Sequence, residues 1–248
     1  MQIMLIAFQA LDVVEMKKYI EKCVTLLEEG GDWERKNKLK VYEGVYFIMV
    51  RDFKSAAEKL LDCMSTFNAP EVVNFDTLIF YTVLASMMTL ERGDIKKKVM
   101  KNSEVLSVIK DNVPLNNFLN AYYACDYSQF FRVLIDVVKD IETDRIMSSH
   151  RKFIIKELRI MIYTQFLESY KNVTLDHMAK AFGVSVKFLD KELSDFISAR
   201  RLHCKIDKVR NIIEYEKIDH RTTDYKRAIR EGEVILNRIQ RLSRVIDV

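Results

Sequence analysis

His203 and Cys204 stand side by side in the run RLHCKIDKV, and a histidine next to a thiol is the pairing that a cysteine nucleophile needs. The surrounding residues argue against that use. Leu202, Cys204 and Ile206 alternate with His203 and Lys205, a period of two that predicts a strand. Adjacent residues on a strand point to opposite faces, so imidazole and thiol diverge. The pair reads as a packed cysteine beside a solvent-facing histidine.

The other chemistry-bearing residues are scattered. His150, His177 and His220 have no second ligand or base near them in sequence and read as ordinary surface histidines. Cys23, Cys63, Cys125 and Cys204 lie 40 or more positions apart and form no CxxC or cysteine–histidine ligand set. That spacing argues against zinc and fits reduced thiols in a cytoplasmic or nuclear protein. Gly30-Gly31 before Asp32 reads as a helix stop and a helix cap, not a nucleotide loop. Lys96-Lys97-Lys98 reads as a solvated face. No HExxH, GxSxG or Gly-rich loop ending in Lys-Ser/Thr occurs. The expectation is a protein that is not an enzyme and holds no metal or cofactor.

If nothing reacts, the elements must serve recognition. Thr174 to Tyr215 carries the densest set of signals. Thr174 can cap a helix from Leu175 to Phe182, Gly183 ends it, and Ser185 caps the next. That second helix should bury Val186, Leu189, Leu193, Phe196 and Ile197 and expose Lys187, Asp190, Lys191 and Asp195. The strand at Leu202 to Ile206 follows, and Ile212, Ile213 and Tyr215 return as its partner after a polar turn. Helix, helix, hairpin is a winged helix. A groove reader needs a cationic surround and base-edge donors. Here Asp190, Glu192 and Asp195 interleave with Lys187 and Lys191, and Asn and Gln are absent. The net charge of +4 over 248 residues is modest. Charge therefore favours a protein partner over nucleic acid, for which Lys205, Lys208, Arg210, Arg200 and Arg201 are the local candidates.

Six Gly and two Pro leave few turn residues for a β-rich fold. The first 149 residues read instead as paired helices. Asp followed by an apolar residue opens an amphipathic helix at Asp12, Asp52, Asp94 and Asp126, at intervals of 40, 42 and 32 residues. Apolar segments lie between them at Leu39 to Val50, Phe75 to Leu90 and Leu115 to Ala124, and Phe153 to Tyr170 reads as a joining helix contacted on two sides. The apolar start, Met1 to Leu11, is cut off by Asp12, Glu15, Lys17 and Lys18 far short of a membrane span and reads as a packed first helix. At the other end Tyr225, Ala228, Gly232, Ile235, Ile239, Leu242 and Ile246 step by three and four, a narrow heptad seam that seeks other helices. The predicted organisation is a helical array over 1–149, a winged helix over 150–218 and a C-terminal helix over 223–248.

A helical array running into a winged helix is the layout of PCI domains, the scaffold module of the proteasome lid, the signalosome and a translation-initiation complex. The segments GGDWERKN (30–37), LKVYEG (39–44), RDFK (51–54), AFGV (181–184), RLHCKIDKV (201–209), LNR (236–238) and LSRVI (242–246) resemble PCI subunits of the proteasome lid. Two departures stand out. Family members carry more helical repeats before the double glycine, where this chain has about 28 residues, and they tend to have Gly where it has Arg200. The resemblance implies a mostly α fold: a right-handed, TPR-like array, then a winged helix, then a C-terminal helix. It also implies a non-catalytic scaffold that forms a hetero-oligomer with other PCI subunits of the lid, away from membranes. The interface residues would be Leu202, Cys204, Lys205 and Ile206 on the wing and Ile235, Ile239, Leu242 and Ile246 on the last helix. A signalosome PCI subunit and a nucleic-acid-binding PCI adaptor are the competing readings.

Overall fold

The structure, a computed structural model, describes residues 2–28, 30, 32–110, 112–215 and 220–246, without the side chains of 28, 220–223 and 244–246. In chain order the helices are α1 (Gln2–Ala10), α2 (Val13–Glu28), α3 (Trp33–Val50), α4 (Phe53–Met64), α5 (Phe75–Thr89), α6 (Arg92–Ile95), α7 (Ser103–Ile109), α8 (Val113–Ala124), α9 (Tyr127–Thr143) and α10 (Arg151–Leu167). A π-helical turn, Lys96–Met100, follows α6, and a 3-10 turn, Met147–His150, precedes α10. Then come β1 (Asn172–Thr174), α11 (Leu175–Phe182), α12 (Val186–Ser198), β2 (Cys204–Asp207), β3 (Ile212–Tyr215) and α13 (His220–Ile246). The chain divides into two compact units, Met1–Thr164 with Ala181–Gly183, and Gln165–Lys180 with Val184–Val248.

In the first unit the largest helix contacts join sequence neighbours: α1 on α2, α2 on α3, α3 on α4, α4 on α5, and α8 on α9. Contacts of this local kind are what stacked helical repeats produce. Every residue of α5 from Leu78 to Met87 is buried, which explains why FDTLIFYTVLASMMT has no polar stripe. α3 and α4 approach so closely that a Cβ on Gly44 would stand 2.6 Å from Leu60 Cδ2. Phe118 stacks on Phe130 at 4.7 Å, and Tyr127, Phe131, Tyr163 and Phe182 form a second aromatic cluster. Tyr81 donates to Asp144 Oδ2 at 2.6 Å while Asp144 Oδ1 accepts from the N–H groups of Ile146 and Met147.

The Asp-apolar signal has a geometric origin. Asp12, Asp52 and Asp126 each accept from backbone N–H groups at the start of α2, α4 and α9. The residue before each one, Leu11, Arg51 or Cys125, is left-handed, with φ of 56°, 68° and 60°. In each case that residue's N–H returns to the carbonyl three back, and the aspartate's N–H to the carbonyl five back. One left-handed residue that closes a helix and one aspartate that opens the next make the whole connection. Asp94 departs from the pattern: it lies inside α6, whose cap position is Glu91, and caps nothing. A match on residue type could not tell an aspartate before a helix from one within it.

The same exit recurs at the end of α12, where Arg200 has φ 55° and Arg201 donates to the Phe196 carbonyl. Left-handed geometry disfavours any residue with a Cβ, and Gly alone escapes that penalty. Arg200 is exposed. Arg200→Gly is therefore expected to stabilise the fold by about 0.5–1 kcal/mol, the penalty a non-glycine pays in this region less the entropy Gly adds to the unfolded chain. Urea unfolding checks this; an unchanged or lowered midpoint contradicts it.

Candidate protein-interaction site

The second unit builds the wing from short, well-capped pieces. The Thr174 hydroxyl accepts from the His177 N–H at 3.3 Å, and Ser185 Oγ from the Phe188 N–H at 3.4 Å. Gly183, with φ 66°, lets the Val184 N–H return to the Ala179 carbonyl. α12 buries Leu189, Leu193 and Phe196; Ile197 is half-buried and Val186 is exposed, against expectation. A helical side chain covers the turn N-terminal to its own Cα, and Val186, as first residue of α12, has no such turn to cover.

β2 and β3 pair antiparallel, Cys204 opposite Tyr215 and Ile206 opposite Ile213. Leu202 and Cys204 are buried while His203 and Lys205 are exposed, so the alternation read from the sequence is present. Ile206, expected on the inner face, is only half-buried. The sequence reading missed β1: Asn172–Thr174 pairs with β3, giving the order β1-β3-β2. A three-residue strand with a single buried residue, Val173, gives no periodicity to detect. Its effect on the site is decisive. β3 is central, so β2 is an edge, and among the described residues nothing pairs with its outer side. An unpaired edge is a template for another strand.

The turn beyond β2 is closed by side-chain contacts. Asp207 Oδ1 accepts from the Val209 and Arg210 N–H groups, and Lys208 pairs with Asp190 of α12 at 2.8 Å. One of the cations available to nucleic acid is therefore already neutralised by an acid of the would-be reading helix. Burial pushes the Cys204 thiol up to about 11, far from the thiolate form. Among the described residues no three His, Cys, Asp or Glu side chains gather as a metal site, and no helix is long and apolar enough to cross a membrane.

α13 does not fold back on the wing. Every residue from Asp224 to Ser243 is exposed except the half-buried Gly232, and Ile235, Ile239 and Leu242 are each more than half exposed. The side chain of Ile246 lies outside the described residues. The apolar face is also wider than the seam read from the sequence, because Ile229 and Leu236 are exposed as well. They follow Ala228 and Ile235 by one residue, and with them the stripe spans ~140° of the helix. A two-helix coiled coil needs only the narrow seam; a stripe this wide suits contact with more than one neighbour.

The histidines divide. His177 is exposed, near Phe166 and Tyr170, and His203 is exposed; His220's side chain lies outside the described residues. His150 is no ordinary surface histidine. It is half-buried, and its Nδ1 accepts from Arg51 Nε at 2.8 Å, beside Phe153, on which Phe53 stacks. Burial, then the Arg51 charge, lowers its pKa below 6.5. A depressed histidine favours the fold above its unfolded pKa, and that contribution is lost as pH falls through the lowered value. Wild type is expected to lose stability, relative to His150→Phe, only below about pH 6.5. Parallel losses of both proteins across that range contradict the assignment.

The 26S proteasome subunit RPN7 family matches residues 1–98 and the PCI domain family residues 126–217. A 26S proteasome non-ATPase regulatory subunit 6 homolog of Arabidopsis thaliana is 49% identical over 98% of this chain and 63% of its own length. The 26S proteasome regulatory subunit rpn7 of Schizosaccharomyces pombe is 38% identical over 95% of this chain and 60% of its own. The chain thus spans about three fifths of the length of these curated relatives. COP9 signalosome complex subunit 1 of Arabidopsis thaliana is more distant, 23% identical over 79% of the chain and 45% of its own length.

Proposed function

This chain belongs to the 26S proteasome non-ATPase regulatory subunit 6 (RPN7) family and carries a PCI domain, and we propose that it is a non-catalytic scaffold of the proteasome regulatory-particle lid. It joins other PCI subunits through the free edge of β2, with Cys204, Lys205 and Ile206 in the strand and Leu202 just before it, and through the apolar face of α13, with Ile235, Ile239, Leu242 and Ile246. In doing so it supports ubiquitin-dependent protein degradation in the cytoplasm and nucleus.

The observation that carries this reading is the exposure of the apolar side chains of α13 among the described residues, Tyr225, Ile229, Ile235, Leu236, Ile239 and Leu242. A face that wide, left in water, is what an assembly helix presents before its neighbours arrive. The signalosome reading has less support, the relative with that name being at 23% identity against 49%.

The nucleic-acid reading makes a different forecast. With Lys208 held by Asp190 and acids interleaved on α12, duplex DNA is expected to bind weakly, without sequence preference, and to dissociate near 150 mM salt, on the order of the physiological range. Anisotropy titrations with labelled duplexes test this. Tight, sequence-selective binding at that salt overturns the scaffold in favour of the adaptor.

A further inference from the structure

Several exposed lysines of this chain are neutralised by a carboxylate one turn away: Lys17 by Glu21, Lys18 by Glu15 and Lys139 by Asp136. The cations around Tyr123 are handled differently. Arg92 donates through Nη2 to the Tyr123 carbonyl oxygen, and its guanidinium lies 5.0 Å from the ring centroid. Lys96 donates to the phenol oxygen at 2.7 Å and sits 4.8 Å from the same centroid. Among the described residues neither cation pairs with a carboxylate, although Glu91 and Asp94 flank them in sequence. The hydrogen bond from Lys96, with the charges of Lys96, Arg92 and Lys101, holds the Tyr123 hydroxyl below its ordinary pKa.

Two cations fixed on one ring repel each other, and an ordinary carboxylate partner would relieve that repulsion. This cluster has none, yet it is held in place by a backbone carbonyl and a phenol. Its geometry is that of a pre-organised anion receptor: the free N–H groups of Arg92 and Lys96 are already positioned, so less side-chain entropy is lost when an anion arrives. The neighbouring Lys97 and Lys98 are not part of it. They line a separate cleft together with Glu58 and Asp62.

We propose that Arg92, Lys96, Lys101 and Tyr123 form a docking surface for an acidic segment of a partner protein, whose carboxylates supply the missing counter-charge. A single-stranded nucleic acid fits less well, because base stacking needs an open aromatic face and the Tyr123 ring is already taken by cations. The inference rests on this cluster alone and stands apart from the role of the wing and α13.

The test is fluorescence anisotropy at low salt, with the full chain and a labelled peptide of alternating glutamate and alanine. A glutamine–alanine peptide and an oligo-dT of matched charge run beside it. The glutamate peptide should bind, and salt should weaken it. The pair Arg92→Gln with Lys96→Gln should lower affinity by about tenfold or more and Lys101→Gln by less, as expected for charge pairs across an interface. Lys139→Gln, which breaks an ion pair elsewhere, should leave binding unchanged. Circular dichroism reports folding of the double variant, and Lys96→Gln alone substitutes for it if the pair disturbs the helices. The proposal is overturned if wild type does not bind the glutamate peptide, if the variants bind it as wild type does, or if oligo-dT binds more tightly through the same residues.

Discussion

Truncation before Asp224 should leave the rest of the chain folded and remove the protein from its complex. The first half of that outcome follows from burial. No described residue of α13 from Asp224 to Ser243 is buried, so its loss opens no core. The core of the wing, Leu189, Leu193, Phe196, Leu202, Cys204 and Ile213, lies wholly outside it. The second half follows from area. Tyr225, Ile229, Ile235, Leu236, Ile239 and Leu242 are each at least half exposed. Burying six large apolar side chains contributes on the order of 10 kcal/mol before ordering costs. Pairing Ile239→Asp with Leu242→Asp should reproduce the loss with the helix still present. Thermal melts of the isolated chain and co-purification with sibling subunits read the two halves separately. A truncated chain that unfolds would show that α13 is part of its own domain's core. One that still assembles would leave the exposed face without the role assigned to it.

A proline scan of β2 should separate folding from assembly by a single residue. Lys205 and Ile206 are neighbours on an edge strand, and in an antiparallel ladder consecutive residues send their N–H groups to opposite sides. One donates toward β3 and the other toward the free edge. Proline removes the donor at either place. At the inward position it breaks a bond to β3 and lowers the stability of the wing. At the outward position it is tolerated, as prolines on sheet edges are, but it denies a partner strand a hydrogen bond and obstructs its approach. The expected result is one variant with a lowered melting temperature and one with a normal melt whose partner recovery falls by about tenfold or more. If the variant that melts normally also assembles normally, the edge of β2 is not an interface.

The elements of the wing were legible because each carries a local signature. Thr174, Gly183 and Ser185 sit where caps and stops are needed, and Leu202, Cys204 and His203 keep the alternation of a strand. β1 was hidden, since three residues cannot display a period, and with it the fact that β3 is a central strand covered on both sides. The repeat of the first unit was legible at Asp12, Asp52 and Asp126 and misleading at Asp94. What distinguishes the three is the left-handed residue before each aspartate, and Leu11, Arg51 and Cys125 do not advertise that geometry as Gly does. His150 was misread for a related reason. Its partner Arg51 is 99 residues away in sequence, and no local pattern reports a contact so distant. On α13 the spacing of three and four picked out apolar side chains that are exposed, and the apolar stripe is wider than that spacing because Ile229 and Leu236 fall one residue beyond the ideal seam.

The central claim is membership in the lid through shared PCI contacts, and affinity purification of the tagged chain from its own cells, followed by mass spectrometry of what it retains, tests that most directly. The account predicts recovery of proteasome regulatory-particle subunits, other PCI proteins among them, from wild type and their loss from the chain carrying Ile239→Asp and Leu242→Asp. Recovery of signalosome subunits in their place, or the same proteasome subunits from both chains, would contradict it.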